Sequence, residues 1–254
     1  MPDWQRQIMP RYKLLIEYHG GPYQGWMKLP GIPTVQGALE EAAAKLDGGP
    51  VEVIGAGRTD SGVHATGQVA HVDLSLDRPE KIADAMNFHL RPHPIAVLKA
   101  EQVSEEFHAR FSAAARHYRY LILNRRADLT QERGLAWRVA AKLDASAMHA
   151  AAQRLLGNHD FTTFRDAACQ AASPVKTLDR LDVARFGDRI EITCSAQSFL
   201  HRQVRSMVGS LVEVGRGFQR PEWISEILVA ADRTACGPVA PSDGLFLERV
   251  DYPA

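Results

Sequence analysis

Gly55-Ala56-Gly57-Arg58-Thr59-Asp60-Ser61-Gly62-Val63-His64-Ala65 lies between two apolar runs, and the fold is read outward from it. Val51, Val53 and Ile54 ahead of it have the β-branched character of a short strand. Gly67-Gln68-Val69-Ala70-His71-Val72-Asp73 behind it reads as a second strand. A strand–loop–strand junction this rich in glycine turns tightly and lets a bulky ligand approach the backbone. Asp60 is then displayed in a concave site with Arg58 two residues away, which suits a carboxylate held ionised by a nearby cation. Turn chemistry alone gives a plainer account, since Asp and Ser bond their own backbone and Gly supplies positive φ. The rest of the chain decides between the two.

Ahead of the loop, Arg11 to His19 reads as a strand that ends in the turn Gly20-Gly21-Pro22. Thr34 is placed to cap a helix whose stripe is Val35, Leu39, Ala42, Ala43 and Leu46, closed by Gly48-Gly49. Behind the loop, Pro79 to Phe88 fits a helix with Ile82, Ala83 and Met86 inward, and Ile95 to Val103 a strand. The second half repeats this order loosely. Arg116 to Asn124 is strand-like, and Asp144 caps a helix carrying Met148, Ala151, Ala152 and Leu155 that ends at Gly157. Leu178–Ala184 and Arg189–Ala196 are strands, and Leu200 to Val214 is a helix with Leu200, Val204, Met207, Val208 and Leu211 at helical spacing. Pro221 opens a helix carrying Ile224, Ile227, Leu228 and Ala231, and Gly244 to Val250 is a last strand. With no low-complexity linker, this predicts an α+β protein of two lobes sharing one continuous sheet. The N-terminal lobe, residues 1–105, carries the Asp60 loop, and the C-terminal lobe is residues 106–254.

A chain of 254 residues with 45% apolar content buries a sizeable core. No apolar run is long enough to span a bilayer, and Met1 to Arg11 has no apolar stretch of a secretory signal, so no membrane partner is expected. Cys169, Cys194 and Cys236 are widely spaced and odd in number, which points to free thiols in a reducing cytoplasm.

The 30 basic and 30 acidic residues cancel, but they are unevenly spread. From Phe107 to Arg126 there are five arginines, two histidines and no acid. From Ser198 to Arg220 four arginines and His201 face the single Glu213. Arginine forks onto phosphates and stacks on bases, so these segments suit RNA; Arg110, Arg116, Arg119, Arg202, Arg216 and Arg220 are the candidate contacts.

Tyr118 and Tyr120 share one face of the Arg116–Asn124 strand, interleaved with arginines, as a base-stacking platform requires; one of the pair is expected in the core. Arg205 lies on an otherwise apolar helix stripe. It either pairs with a carboxylate such as Asp60 or reaches to water, and helix spacing alone favours the second. No Cys/His cluster has zinc spacing, because Pro92 interrupts His89 and His93. Gly55-Ala56-Gly57 lacks the third glycine of a dinucleotide loop, and no Walker-type run exists, so neither metal nor nucleotide cofactor is expected. Asp60-Ser61-Gly62 has the Asp-Ser/Thr-Gly form of an aspartic protease, but the chain has no second such triplet.

The Asp60 loop resembles the signature loop of the TruA family of tRNA pseudouridine synthases, and the resemblance extends along nearly the whole chain. It takes in Tyr18-His19-Gly20 with Gly25-Trp26, Thr34-Val35-Gln36-Gly37-Ala38-Leu39-Glu40, and Phe107-His108-Ala109-Arg110 followed by Tyr118-Arg119-Tyr120. It continues in Gly157-Asn158-His159-Asp160-Phe161, in Phe199-Leu200 with Val204-Arg205 and Val208-Gly209, and in Gly244-Leu245 with Val250 and Tyr252. Two stretches depart from the family pattern: Met27 follows Gly25-Trp26 in place of Gln, and His201-Arg202-Gln203 stands where the family has x-His-Met.

The resemblance implies two RRM-like lobes around a largely antiparallel sheet with a cleft between them. It also implies a homodimer that isomerises uridine to pseudouridine at tRNA positions 38, 39 and 40 without cofactor or metal. Carried over, Asp60 is the nucleophile, Arg205 its partner, Tyr118 the ring under the target base, Arg58 the group holding that base out of the stem, and Leu245 part of the substrate pocket. The alternative from another class is a non-catalytic RNA-binding protein on an RRM-like scaffold. It uses the same basic segments but has no need of Asp60, and the chain has no RNP1-type run.

Overall fold

The computed structural model describes residues 9–76 and 78–253, so the reading of the first eight residues lies outside it. Ten strands form one sheet, and five α-helices complete an α+β architecture among the described residues. The strands are β1 (Arg11–Tyr18), β2 (Ile54–Gly55), β3 (His64–Asp73), β4 (Ile95–Val103), β5 (Ala115–Leu123), β6 (Trp137–Arg138), β7 (Gly157–Asp160), β8 (Val175–Phe186), β9 (Arg189–Ala196) and β10 (Leu245–Asp251). The helices are α1 (Val35–Asp47), α2 (Pro79–Leu90), α3 (Ala145–Ala152), α4 (Gln203–Gly215) and α5 (Trp223–Ala230). Sheet order is β4-β1-β3-β10-β5-β9-β8-β7, with β2 on β3 and β6 on β5. The pairs are antiparallel except β10 with β3 and β5 with β6. No helix among the described residues is long and apolar enough to cross a membrane.

β10, the strand latest in sequence, lies at the middle of the sheet. It takes Phe246 and Leu247 to His64 and Ala65 of β3, and Leu245 to Asp251 to Tyr120 to Ala115 of β5. β3 is therefore shared. Its first residues pair with β10, while Ala70 and His71 pair with β2. The sheet forks between these two pairings, at Gly67, where a Cβ would stand 2.0 Å from the Glu248 carbonyl oxygen. Only glycine permits backbones so close.

Two apolar clusters flank the seam. One joins Tyr12, Leu14, Ile16 and Tyr18 of β1 to Leu39, Ala42 and Ala43 of α1 and to Ile82, Met86 and Leu90 of α2. The other joins Tyr120 and Ile122 of β5 and Ile190 and Ile192 of β9 to Met207, Val208 and Leu211 of α4. β10 gives Leu247 and Val250 to the first and Leu245 to the second.

Local signals account for most boundaries. Thr34 caps α1 by accepting from the Gly37 amide at 3.2 Å, and Gly48 closes it at φ 81°. Asp144 caps α3 by accepting from the Ser146 and Ala147 amides.

Four boundaries differ from the sequence expectation. The strand before the Asp60 loop shrinks to two residues because side chains of α1 take the main chain of Val53: its N–H donates to Glu40 and its carbonyl accepts from Gln36. α4 starts at Gln203 and not at Leu200. The Leu200 amide donates to Gln203 Oε1 at 2.8 Å, and Arg202 takes the left-handed conformation, φ 59°. Ala231 terminates α5 in the same conformation, φ 47°, and is exposed instead of packed. α3 ends at Ala152 and continues as a 3₁₀ turn, and Gly157 opens the unexpected short strand β7.

Candidate active site

The loop of residues 56–63 leaves the sheet at the fork and is fixed from four sides. Gln68, fully buried on β3, clamps Gly57: its amide donates to the Gly57 carbonyl at 2.8 Å and its Oε1 accepts from the Gly57 N–H at 3.3 Å. The Tyr18 hydroxyl of β1 meets Thr59 Oγ1 at 2.8 Å, and the Trp26 N–H donates to the Thr59 carbonyl at 3.0 Å. The Gly62 N–H donates to the Tyr23 carbonyl at 3.3 Å. Asp60 then opens a turn, its carbonyl accepting from Val63 N–H, with Gly62 at φ 78° as such a turn requires. The struts that aim Asp60 thus come from β3, from β1 and from the segment that follows β1.

The Asp60 carboxylate is 17% exposed, and Arg205 of α4 donates to its Oδ2 from Nη1 at 3.0 Å. The Arg205 side chain is 15% exposed and its Nε also donates to the Ala240 carbonyl at 2.8 Å. The expectation that this helix arginine reaches to water fails, since two acceptors hold it inward. The pairing joins the loop of the first half to a helix of the second.

His201 lies beside the other oxygen, Nε2 at 3.4 Å from Asp60 Oδ1, with Nδ1 at 3.7 Å from Asp166 Oδ1. Arg202 reaches Asp166 Oδ2 at 3.0 Å. The Ala168 N–H, with Arg202 and His201, holds the Asp166 carboxyl below the usual carboxylate range against partial burial. The result is a chain of alternating basic and acidic side chains: Arg205, Asp60, His201, Asp166, Arg202. Sequence reasoning named its first two members and its last, and missed His201 and Asp166 as site residues. His201 stood in the basic segment but outside the helix stripe, and Asp166 follows no periodicity at all.

Tyr118 is part-buried on β5, edge-on to Phe199 with ring centroids 5.2 Å apart. A Cβ on Gly57 would come within 3.6 Å of its hydroxyl, so the ring borders the Asp60 loop. Burial, with Tyr18 and the Asp60 carboxylate nearby, raises its pKa, which keeps the phenol protonated. Tyr120, on the same face, is fully buried with its hydroxyl on the Pro241 carbonyl, and is the core member of the pair.

Other expected residues are placed differently. Arg58 is exposed and makes no hydrogen bond or ion pair among the described residues, so the cation on Asp60 is Arg205 and not its near neighbour. Leu245 is 5% exposed, within the second cluster. Arg116 is 7% exposed. It donates to the carbonyls of Ala56 at 2.8 Å and Arg110 at 2.6 Å, and to that of Gln197, filling the fork between β2 and β10. This corrects its reading as a phosphate contact, because its donors are spent on main chain.

Arg119 pairs with Glu248 at 2.6 Å and lies over the Phe246 ring. Arg110 is exposed. Arg216 and Arg220, paired with Glu213 and Glu226, lie at and beyond the far end of α4 from Arg205, about 16 Å along the helix axis at Arg216. The structure does not bring them to Asp60. The three cysteines are free.

The site is thus an ion-paired carboxylate on a hydrogen-bonded loop at a sheet seam, with a tyrosine at its edge, in an α+β fold. The model of the tRNA pseudouridine synthase family matches residues 15–112 and 151–253. The tRNA pseudouridine synthase A of Hyphomonas neptunium is 77% identical over 246 residues, covering 97% of this chain and all of that protein. Those of Maricaulis maris and Azorhizobium caulinodans are 62% and 61% identical, each covering 96% of this chain and 99% and 95% of their own length. The chain belongs to the tRNA pseudouridine synthase family, in its TruA branch, and is an isomerase.

Proposed function

We propose that this chain isomerises uridine to pseudouridine in the anticodon arm of tRNA, at positions 38, 39 and 40, with Asp60 as nucleophile. The observation that carries the reading is the Asp60–Arg205 pair, two side chains from opposite sides of the seam meeting at 3.0 Å at the surface of the fork. A stem uridine must leave its stack to react, which costs a few kcal/mol. Tyr118 offers the flipped base a ring beside the Asp60 loop, and Arg58, exposed and without an ion pair among the described residues, helps hold that base out of the stem.

In the reaction the N1–C1′ bond of the nucleotide breaks and the uracil turns in the pocket. A C5–C1′ bond then forms, and the proton lost from C5 balances the one gained at N1. Atoms are conserved, so no redox or nucleotide cofactor enters. Arg205 orients the Asp60 carboxylate for attack, the bond Asp60 forms to the nucleotide breaks again before product leaves, and Leu245 backs the pocket from the second cluster. Of the six candidate phosphate contacts, Arg110 is the one that is exposed and without an ion pair among the described residues. The two apolar clusters divide broadly as lobes of residues 1–105 and 106–254 would, with Ala109, Ala113, Leu247 and Val250 crossing into the first and Val63 into the second. The family resemblance is what supports a cytoplasmic homodimer as the working unit.

The test is tritium release from tRNA labelled at uracil C5, with wild type and Asp60→Ala. Release by wild type alone is expected, with tRNA affinity retained in the variant. No release by folded wild type, with tRNA still bound, would instead identify an RNA-binding protein without turnover.

A further inference from the structure

Among the exposed aromatic side chains, Phe111 is the most deliberately presented. It is 77% exposed at the tip of the turn of residues 108–112 between β4 and β5, and the turn beneath it is bonded throughout. The Ser112 N–H donates to the His108 carbonyl, and the His108 N–H to Ser112 Oγ. The N–H groups of Arg110 and Phe111 both donate to His108 Nδ1 at 3.2 Å. The Ala109 N–H donates to His71 of β3, and the Ala109 carbonyl accepts from the Tyr252 hydroxyl at 2.7 Å. The Arg110 carbonyl accepts from Arg116.

The ring itself lies against His108, centroids 4.4 Å apart, with the Arg110 guanidinium 5.6 Å from its centroid. A ring left in water on so fixed a base adds little to the core. It does remove the ordering cost that a mobile ring would pay on binding.

Charge and position select the occupant. No acidic residue lies between Phe107 and Arg126. Other exposed rings lie nearer an acidic residue in sequence: Phe88 is four residues after Asp84, Phe186 two before Asp188 and Phe218 four before Glu222. One guanidinium nitrogen of Arg116 holds the carbonyls of both Arg110 and Ala56, so the Phe111 turn is tied to the strand that feeds the Asp60 loop.

We propose that Phe111, with His108 and Arg110, is a stacking platform for an unpaired nucleobase of the RNA substrate, separate from the base that reacts at Asp60. The free face of the ring takes the base, and Arg110 takes the adjoining phosphate. This rests on the tRNA reading above.

Phe111→Leu, Phe111→Tyr and Arg110→Gln are compared with wild type for binding and turnover of an unmodified tRNA transcript across a salt series. Phe111→Leu is expected to weaken binding about tenfold with kcat unchanged and the salt slope unaltered, and Phe111→Tyr to retain affinity. Arg110→Gln is expected to weaken binding and to lower the salt slope by about one. Unchanged tRNA affinity in Phe111→Leu, with wild type active, overturns the platform alone. Loss of affinity that tracks loss of a dimer in sedimentation makes the ring a contact between copies and overturns it too. A wild type that neither binds nor modifies tRNA overturns the functional reading first.

Discussion

Removing Arg205 tests whether the site is held by its ion pair. In Arg205→Met the stem that packs along α4 is largely retained, while the charge 3.0 Å from Asp60 Oδ2 and the bond to the Ala240 carbonyl are lost. Both side chains are under one-fifth exposed, so solvent screens the pair only in part. Breaking one partner of a fully buried pair costs roughly 3–5 kcal/mol. The residual exposure and His201 beside the other carboxylate oxygen bring that down to roughly 2 kcal/mol, and the lost hydrogen bond adds about 1 kcal/mol. A total near 3 kcal/mol lowers Tm by about 6–12 °C in a chain of this size.

The companion variant Asp60→Asn with Arg205→Met removes both charges and is expected to recover most of the loss, because no carboxylate is then left without its cation. Thermal unfolding of the four proteins by circular dichroism gives the full cycle without any RNA present. If Arg205→Met melts within 2 °C of wild type, or the double variant is no more stable than the single one, the pair is not what holds the seam at Asp60.

Arg116→Met leaves the carbonyls of Ala56, Arg110 and Gln197 without their donor in a buried fork, and is expected to cost roughly 3 kcal/mol in urea unfolding. Arg116→Lys is expected to recover little, since one ammonium cannot span three acceptors; full recovery would contradict the fork geometry. Burial pushes the imidazoles of His64, beside His19, and His71, beside Arg11 and His108, down to about 4. Their Nδ1 atoms accept from the Gly20 and Ala109 amides, a role only the unprotonated ring nitrogen fills. With unfolded histidine near 6.5, the unfolded chain binds more protons below that pH, so stability is full above about 6.5 and falls as pH drops to about 4. A flat unfolding free energy across that window would refute it. Gly67→Ala is expected to lose about 2 kcal/mol or more, because its Cβ meets the Glu248 carbonyl, whereas Gly49→Ala enters open space; equal melting points would argue against the close approach.

Much of this was legible in the residues because the signals were local. Thr34 and Asp144 announce caps, Ile95 to Val103 has strand character end to end, and the α4 stripe carries its own periodicity. What stayed hidden depends on partners far away in sequence. Val53 looks like strand but gives its main chain to Glu40 and Gln36, and Arg116 looks like an RNA contact but is consumed by three carbonyls. Arg205 looked solvated until Asp60, 145 positions earlier, was brought to it. His201 and Asp166 are gathered by a turn that ends in a left-handed arginine, which no periodicity foretells.

The placement of β10 also sets an order of events on the ribosome. Of the ten strands it emerges last, yet both β3 and β5 need it as neighbour. Until it arrives, the nascent chain holds two unjoined half-sheets, β4-β1-β3 and β5-β9-β8-β7, each with a raw edge facing the gap. Closing that gap is a long-range step, slow by the standards of local folding. The side chains of Asp60 and Arg205 belong to different halves, so the pair forms only when the seam does. Assembly of the seam and assembly of the site are one event.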